Sequence, residues 1–367
     1  MVTRKMPSPC RVLIVDDSPA IVNILRIGLS AHPAIEVVGT AADAYDAREK
    51  IKALDPHVIT LDVEMPRMNG LDFLERIMRL RPMPVVMFSS VTPEGSEAAV
   101  RALALGAVDV MVKPLAGFDP AFLSDMADRV VTAARSRRRV APGFDGLRPQ
   151  EAETTAGVIK RWNGRILLIG ASTGGVAAIE AVLRGLPVNC PPTVISQHMP
   201  ESFLKSFVAR LDQRNVQRVR VAEEGARLEQ GLVYLAPGGD IHTGVDRHVG
   251  HFVCTEIRGP KTNGHYPSVD ELFRSALGFA ESVIGVILTG LGRDGAAGLA
   301  ELHERGARTI GQDRDSSVVY GMPRAAHDLG ALDRQCPLDE IPAEICRMAD
   351  RVSSGGVGSG QAKAGKI

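Results

Sequence analysis

The sequence predicts an α/β protein of two domains, each a parallel sheet with helices on both faces. Three observations carry this. Over residues 10–135, short apolar runs alternate with amphipathic helical stretches in repeated β-α units. Over residues 136–160 that pattern lapses into Arg, Pro, Gly, Glu and Thr with no usable period, as an interdomain linker does. From Trp162 a second series of apolar runs begins and extends to about residue 350, and the 367-residue length suits two domains.

In the first domain, strands are expected at residues 12–15, 37–40, 58–61, 85–88 and 108–112. Their near-continuous apolar character is that of strands covered on both faces. Helices are expected between and after them, at 20–29, 42–53, 70–79, 94–105 and 120–135. Helical spacing in 20–29 puts Ile21, Ile24, Leu25 and Gly28 on one face. In the second domain, apolar strands are expected at 166–169, 193–196, 233–236 and 283–288, with a helix at 176–183. Residues 351–367 are rich in Gly and Ser and read as a disordered tail. The chain has no internal repeat of the length that marks a solenoid.

Composition narrows the function classes. Hydrophobic residues make up 45% and charged residues 23%, as in an ordinary soluble domain. Formal net charge is zero, so no global field favours nucleic acid or an anionic membrane. The basic run of Arg135, Arg137, Arg138 and Arg139 reads as solvated linker. No stretch approaches the roughly 20 apolar residues of a membrane helix. Residues 1–9 lack the apolar core of a signal peptide. The five cysteines are odd in number and form no C-x-x-C pair, which suggests reduced, buried thiols in a cytoplasmic protein.

Parallel sheets place ligands at the carboxyl ends of their strands. In the first domain those ends carry Asp16 and Asp17, then Asp62, then Ser89, then Lys113. Converging acids repel unless a hard cation binds them, and Mg²⁺ with oxygen ligands suits. Two acids for metal, one acid to react, and a hydroxyl and an ammonium to read the product fit a carboxylate that becomes phosphorylated. A lone polar residue would merely cap a strand; a set is harder to dismiss. The motifs Val15-Asp16-Asp17, residues 61–70 (L-D-V-E-M-P-R-M-N-G), Ser89-Ser90 and Lys113-Pro114 make residues 10–135 resemble response-regulator receiver domains. The resemblance implies a flavodoxin-like five-stranded sheet. It also implies Asp62 as phospho-acceptor, Asp16 and Asp17 beside it as Mg²⁺ ligands, and a chemotaxis histidine kinase as phosphate donor. Many receivers carry an aromatic switch residue where this chain has Val110. An X-Pro bond beside such a site is a candidate for the cis form, so Lys113-Pro114 is expected to be cis.

In the second domain, Gly170-Ala171-Ser172-Thr173-Gly174-Gly175 satisfies G-x-S-x-G in a strand–turn–helix context. On the residues alone Ser172 has three readings: a nucleophile, a helix N-cap, or part of a phosphate-binding turn. The dinucleotide fingerprint fails because Ser172 stands at its second Gly position. The backbone N–H of Thr173, at a helix N-terminus, could hold an oxyanion. His198 follows the strand near 193–197, and Asp294 lies in Gly290-Leu291-Gly292-Arg293-Asp294-Gly295 after the strand near 283–289. A serine needs a base and the base needs an orienting acid. Asp240 and His242, after the strand at 233–236, compete for these roles, and position alone does not choose. His248 and His251 read as a polar turn.

Residues 162–347 resemble the catalytic domain of the chemotaxis protein-glutamate methylesterases. The matching stretches are residues 170–175, Gln197-His198-Met199-Pro200, Ala236-Pro237-Gly238, Pro267-Ser268-Val269-Asp270, residues 288–295 and Val319-Tyr320-Gly321-Met322-Pro323. The resemblance implies a doubly wound α/β esterase domain with Ser172, His198 and Asp294 as triad. It implies an oxyanion N–H from Leu291, where the family usually has Met, and no cofactor for the esterase. The implied substrates are γ-glutamyl methyl esters, and glutamines for deamidation, on methyl-accepting chemoreceptors. It also implies that the docked receiver partly covers the Ser172 crevice. Two other classes stay open: a phosphorylation-controlled binding module in which Ser172 only caps a helix, and a nucleotide-binding output domain using residues 170–175.

Overall fold

The computed structural model describes residues 9–89, 92–114, 117–136 and 159–351, without the side chains of residues 93–94. The N-terminal sheet has strands β1 (Cys10–Val15), β2 (Ile35–Ala41), β3 (Val58–Asp62), β4 (Val85–Ser89) and β5 (Asp109–Val112). Helices α1 (Pro19–Ser30), α2 (Ala44–Leu54), α3 (Gly70–Leu80), α4 (Pro93–Ala104) and α5 (Pro120–Arg135) connect and cover them. The order β2-β1-β3-β4-β5, parallel throughout, is the flavodoxin-like arrangement. Local chemistry sets the helix starts. Proline opens α1, α4 and α5, where its missing N–H costs nothing. Asp43, Asn69 and Asp119 cap α2, α3 and α5 with side-chain oxygens. The Asp43 cap is why α2 begins two residues later than its apolar pattern suggests. Gly70 opens α3 hard against β3: a Cβ there would lie 1.9 Å from the Asp62 carbonyl oxygen.

The second domain runs β6 (Ile166–Ala171), α6 (Gly175–Gly185), β7 (Thr193–Gln197), α7 (Glu201–Arg214), β8 (Arg218–Val221) and β9 (Leu232–Leu235). A hairpin follows, β10 (His242–His248) and β11 (His251–Ile257), then α8 (Val269–Ser275), a 3-10 turn and β12 (Val283–Ile287). It ends with α9 (Ala296–Glu304), β13 (Arg308–Gln312), α10 (Met322–Asp328), β14 (Arg334–Cys336) and α11 (Ile341–Ala349). The parallel sheet has the order β14-β13-β12-β6-β7-β9-β8. The winding direction reverses beside β6, so a crevice opens at the carboxyl ends of β12, β6 and β7. Every residue of those three strands is buried, as helices on both faces require. Trp162 bridges Asp350, and the Arg351 N–H donates to the Arg161 carbonyl at 2.8 Å, so this fold starts and finishes side by side.

The two domains touch. Helix α4 lies against α6 and α7. Val318 packs on the apolar cluster that includes Phe122 and Met126 of α5.

One expectation is corrected. The cis X-Pro bond among the described residues is Tyr266-Pro267, and Lys113-Pro114 is trans. X-Pro bonds favour trans by about 0.5–1 kcal/mol unless the local path demands otherwise. His248 and His251 pair with each other and flank the two-residue turn of the β10–β11 hairpin, a polar turn as expected. All five cysteines are free and buried. Most of the expected linker at 136–160 and the tail from 352 lie outside the described residues. Among the described residues no helix is long and apolar enough to cross a membrane.

Candidate functional sites

At the carboxyl end of the first sheet, Asp16, Asp17 and Asp62 bring carboxylate oxygens within 4.8 Å of one another. Asp16 and Asp62 are buried and Asp17 is exposed. Lys113 reaches between them, 2.7 Å from Asp62 and 3.2 Å from Asp16. Burial, with the neighbouring Asp16 charge, outweighs the Lys113 contact and pushes the Asp62 carboxyl up to about 6. Burial works against the charged Lys113, but its bonds to the two acids win and hold its ammonium above the ordinary lysine range. Oδ2 of Asp16 is buried, and its one partner among the described residues is the Lys113 ammonium at 3.2 Å. Carboxylate oxygens converging this closely are the ligands a small hard cation takes. Ser89 is buried, and its hydroxyl donates to the Gly95 carbonyl in the first turn of α4 at 2.8 Å. Val110 is buried in the apolar core.

The second site lies at the crevice. The Ser172 N–H donates to the Thr289 carbonyl and the His198 N–H to the Ala171 carbonyl, both at 3.0 Å, which ties the ends of β12, β6 and β7 together. Gln197 Nε2 braces the same corner, donating to the carbonyls of Ser172 and His198 at 3.0 and 2.9 Å. Helix α6 begins at Gly175 with Gly174 as its cap, so the cap position is not Ser172. His198 and Asp294 meet through Nε2 and Oδ2 at 2.8 Å, while Nδ1 is buried and has no hydrogen-bond partner. The N–H groups of Thr173 and Leu291 are not used in hydrogen bonds among the described residues.

Asp294 sits in a cradle. Oδ1 accepts from Ser268 Oγ at 2.8 Å and Asn263 Nδ2 at 2.8 Å, and Oδ2 accepts from the Val269 N–H at 2.7 Å. Ser268 and Val269 are the cap and first residue of α8, so the helix N-terminus faces the carboxylate. Burial opposes the charged form, yet His198, Asn263 and Val269 overcome it and hold Asp294 well below the usual carboxylate range.

Of the competing residues, Asp240 is exposed on a turn. His242 is buried with both ring nitrogens occupied: Nδ1 accepts from the Ser268 N–H and Nε2 donates to the Pro260 carbonyl, both at 3.0 Å. It supports the Asp294 cradle and faces no free proton. Asn263 and His242 were not singled out as supports in the sequence; the signal for Ser268 was the Pro-Ser-Val-Asp stretch ahead of a helix.

A response regulator receiver domain model matches residues 12–120, and a CheB methylesterase model matches residues 167–345. A protein-glutamate methylesterase/protein-glutamine glutaminase of Rhizobium etli is 49% identical over 346 residues, 94% of this chain and 97% of the relative. A protein of the same description from Agrobacterium fabrum is 48% identical over 347 residues, again 94% and 97%. The Thermotoga maritima CheB methylesterase catalytic domain is 35% identical and covers 50% of this chain and 98% of that one, with a TM-score of 0.49. Near-half identity along almost the full length, across both domains in one order, leaves a single conclusion: the chain belongs to the protein-glutamate methylesterase/protein-glutamine glutaminase family.

Proposed function

We propose that Ser172, His198 and Asp294 carry out methyl-ester hydrolysis on chemoreceptor glutamates, under control of phosphorylation at Asp62. The observation that carries this is the His198 ring, bonded to a deeply ionised Asp294 at one nitrogen and bare at the other. A bare, buried imidazole nitrogen beside a G-x-S-x-G turn is a general base waiting for a hydroxyl proton. The Nδ1–Ser172 bond is not made in the resting geometry, as is common for catalytic bonds without substrate.

In the forward reaction, His198 Nδ1 takes the Ser172 proton as Oγ attacks the ester carbonyl. The oxyanion meets the N–H groups of Thr173 and Leu291. His198 then protonates methoxide, methanol leaves, and a γ-glutamyl ester of Ser172 remains. His198 next activates a water that releases the glutamate. With glutamine the leaving group is ammonia and the later steps are the same. Asp294, kept ionised, holds the tautomer with Nε2–H and stabilises the imidazolium.

In the receiver, Asp16, Asp17 and Asp62 would hold Mg²⁺, which when bound offsets negative charge on the incoming phosphoryl group. Lys113 and Ser89 would then read the phospho-aspartate. A chemotaxis histidine kinase is the proposed donor and methyl-accepting chemoreceptors the proposed substrate. Neither nucleic acid nor a membrane span enters the scheme. Five free thiols fit a cytoplasmic protein.

The experiment is methanol release from a methylated receptor fragment, with and without a small-molecule phosphate donor. Methanol release that rises with the donor is expected; none under either condition would defeat the reading.

A further inference from the structure

The loop from β11 to α8 serves the triad at two points. Asn263 and Ser268 grip Asp294. Between them, His265 lays its ring flat on His198, with centroids 3.7 Å apart and planes 12° apart. We infer that His265 is a positioning residue for the base: its ring face holds the His198 imidazole in the plane that gives Nε2 to Asp294 and leaves Nδ1 for Ser172. This rests on the triad reading above.

The need for such a residue follows from what His198 lacks. The terminal torsion of a histidine is broad, so one hydrogen bond does not fix the ring. Asp294 pins only Nε2, and Nδ1 has no partner. A stacked ring supplies the missing restraint without spending the nitrogen that must accept the serine proton. His265 is itself anchored through its backbone, whose N–H donates to the Thr262 carbonyl at 3.1 Å.

The stack also has an electrostatic side. During turnover His198 becomes a cation, and a neutral π face attracts a cation whereas a second cation repels it. The charged and titratable groups that act on His265 are His198, Asp294, Arg129 of α5 and Lys261. Burial first, then His198, pull its imidazole down to about 4, against the opposing Asp294 charge. It is therefore uncharged at neutral pH, when His198 takes its proton.

The test uses the full-length protein with His265→Ala and His265→Phe, and Ser172→Ala as control. Three quantities are read: kcat and KM for methyl-ester hydrolysis, fluorophosphonate labelling, and the ¹⁵N imidazole spectrum of His198. His265→Ala is expected to lower kcat about a hundredfold with KM little changed, the cost of a small misplacement of a catalytic group. His265→Phe, flat and uncharged, is expected to recover most of that loss. His198 should show a single Nε2–H tautomer in the wild type and in His265→Phe, and a mixture in His265→Ala. The inference is overturned if His265→Ala matches the wild type. It is equally overturned if both variants are impaired alike with an unchanged His198 spectrum. An active, labelled Ser172→Ala would instead bring down the triad reading.

Discussion

Asp294 is the most heavily committed side chain of the catalytic domain, with Ser268, Val269, Asn263 and His198 all bonded to its carboxylate. Replacing one oxygen by an amide sets an N–H against these donors, and each buried donor left unpaired costs about 1–3 kcal/mol. Asp294→Asn should therefore lower turnover by about 10⁴, on the precedent of other triads. Asp240→Asn, on an exposed turn, should be mild; reversed effects in steady-state assays would move catalysis to the Asp240 loop. Ser172→Ala should abolish hydrolysis, a loss of several orders of magnitude, while far-ultraviolet circular dichroism and melting stay near wild type. Activity within about tenfold of wild type would remove Ser172 as nucleophile. Ser172, His198 and Asp294 could be proposed from the sequence because each follows an apolar run, but it was the family resemblance, and not position, that set them above Asp240 and His242. The cradle was not legible there. Asn263, His265 and His242 lie on loop or hairpin positions whose partners are set by how the chain wraps, and no spacing rule reports that.

At the level of elements, α8 reaches Asp294 only because its neighbours are small. A Cβ on Gly170 of β6 would lie 2.1 Å from Val269 Cγ1, and one on Gly295 would lie 2.4 Å from the same atom. Gly170→Ala should push the α8 N-terminus away, withdraw the Val269 N–H from Asp294, and cost about 1–3 kcal/mol as an overpacked core does. Val269→Ala reopens the space. The double variant should recover melting temperature and turnover relative to Gly170→Ala alone, and a cycle with no coupling would contradict the contact. The same sheet shows what apolar runs reveal and what they miss. Strands β6, β7, β9 and β12 were visible as mainly apolar runs. β8 alternates exposed arginines with its valines, as an edge strand does, and β14 has three residues. The β10–β11 hairpin is half polar, since one end of it is exposed. Such strands are defined by pairing partners, and a run of side chains does not name a partner.

At the scale of the whole molecule, the receiver rests on the esterase through α4, which meets α6 and α7, the helices that follow the strands of Ser172 and His198. Ser89 holds the first turn of α4 through Gly95. A phosphoryl group on Asp62 adds charge that Ser89 and Lys113 can turn toward, and this shifts docking only if the two docked states differ in free energy. A fragment of about residues 156–352 should outpace the unphosphorylated full chain, and Asp62→Asn should block activation by a phosphate donor without destroying basal turnover. A difference of about 1.4 kcal/mol already gives tenfold repression. A fragment slower than the full chain, with no response to the donor, would leave the receiver as a docking module. The presence of two domains was plain in the sequence, from the lapse of pattern after residue 135; their contact was not, because α4 and α7 each look like ordinary amphipathic helices. The bridge from Trp162 to Asp350 has a separate consequence. Because entry and exit adjoin, the catalytic domain is a plug with both leads on one side. It can be spliced into a surface loop of an unrelated host, or joined head to tail and reopened elsewhere, without stretching its sheet. Its contact with the receiver runs through α4 and not through these ends, so evolution is free to wire the same hydrolase to a different sensor.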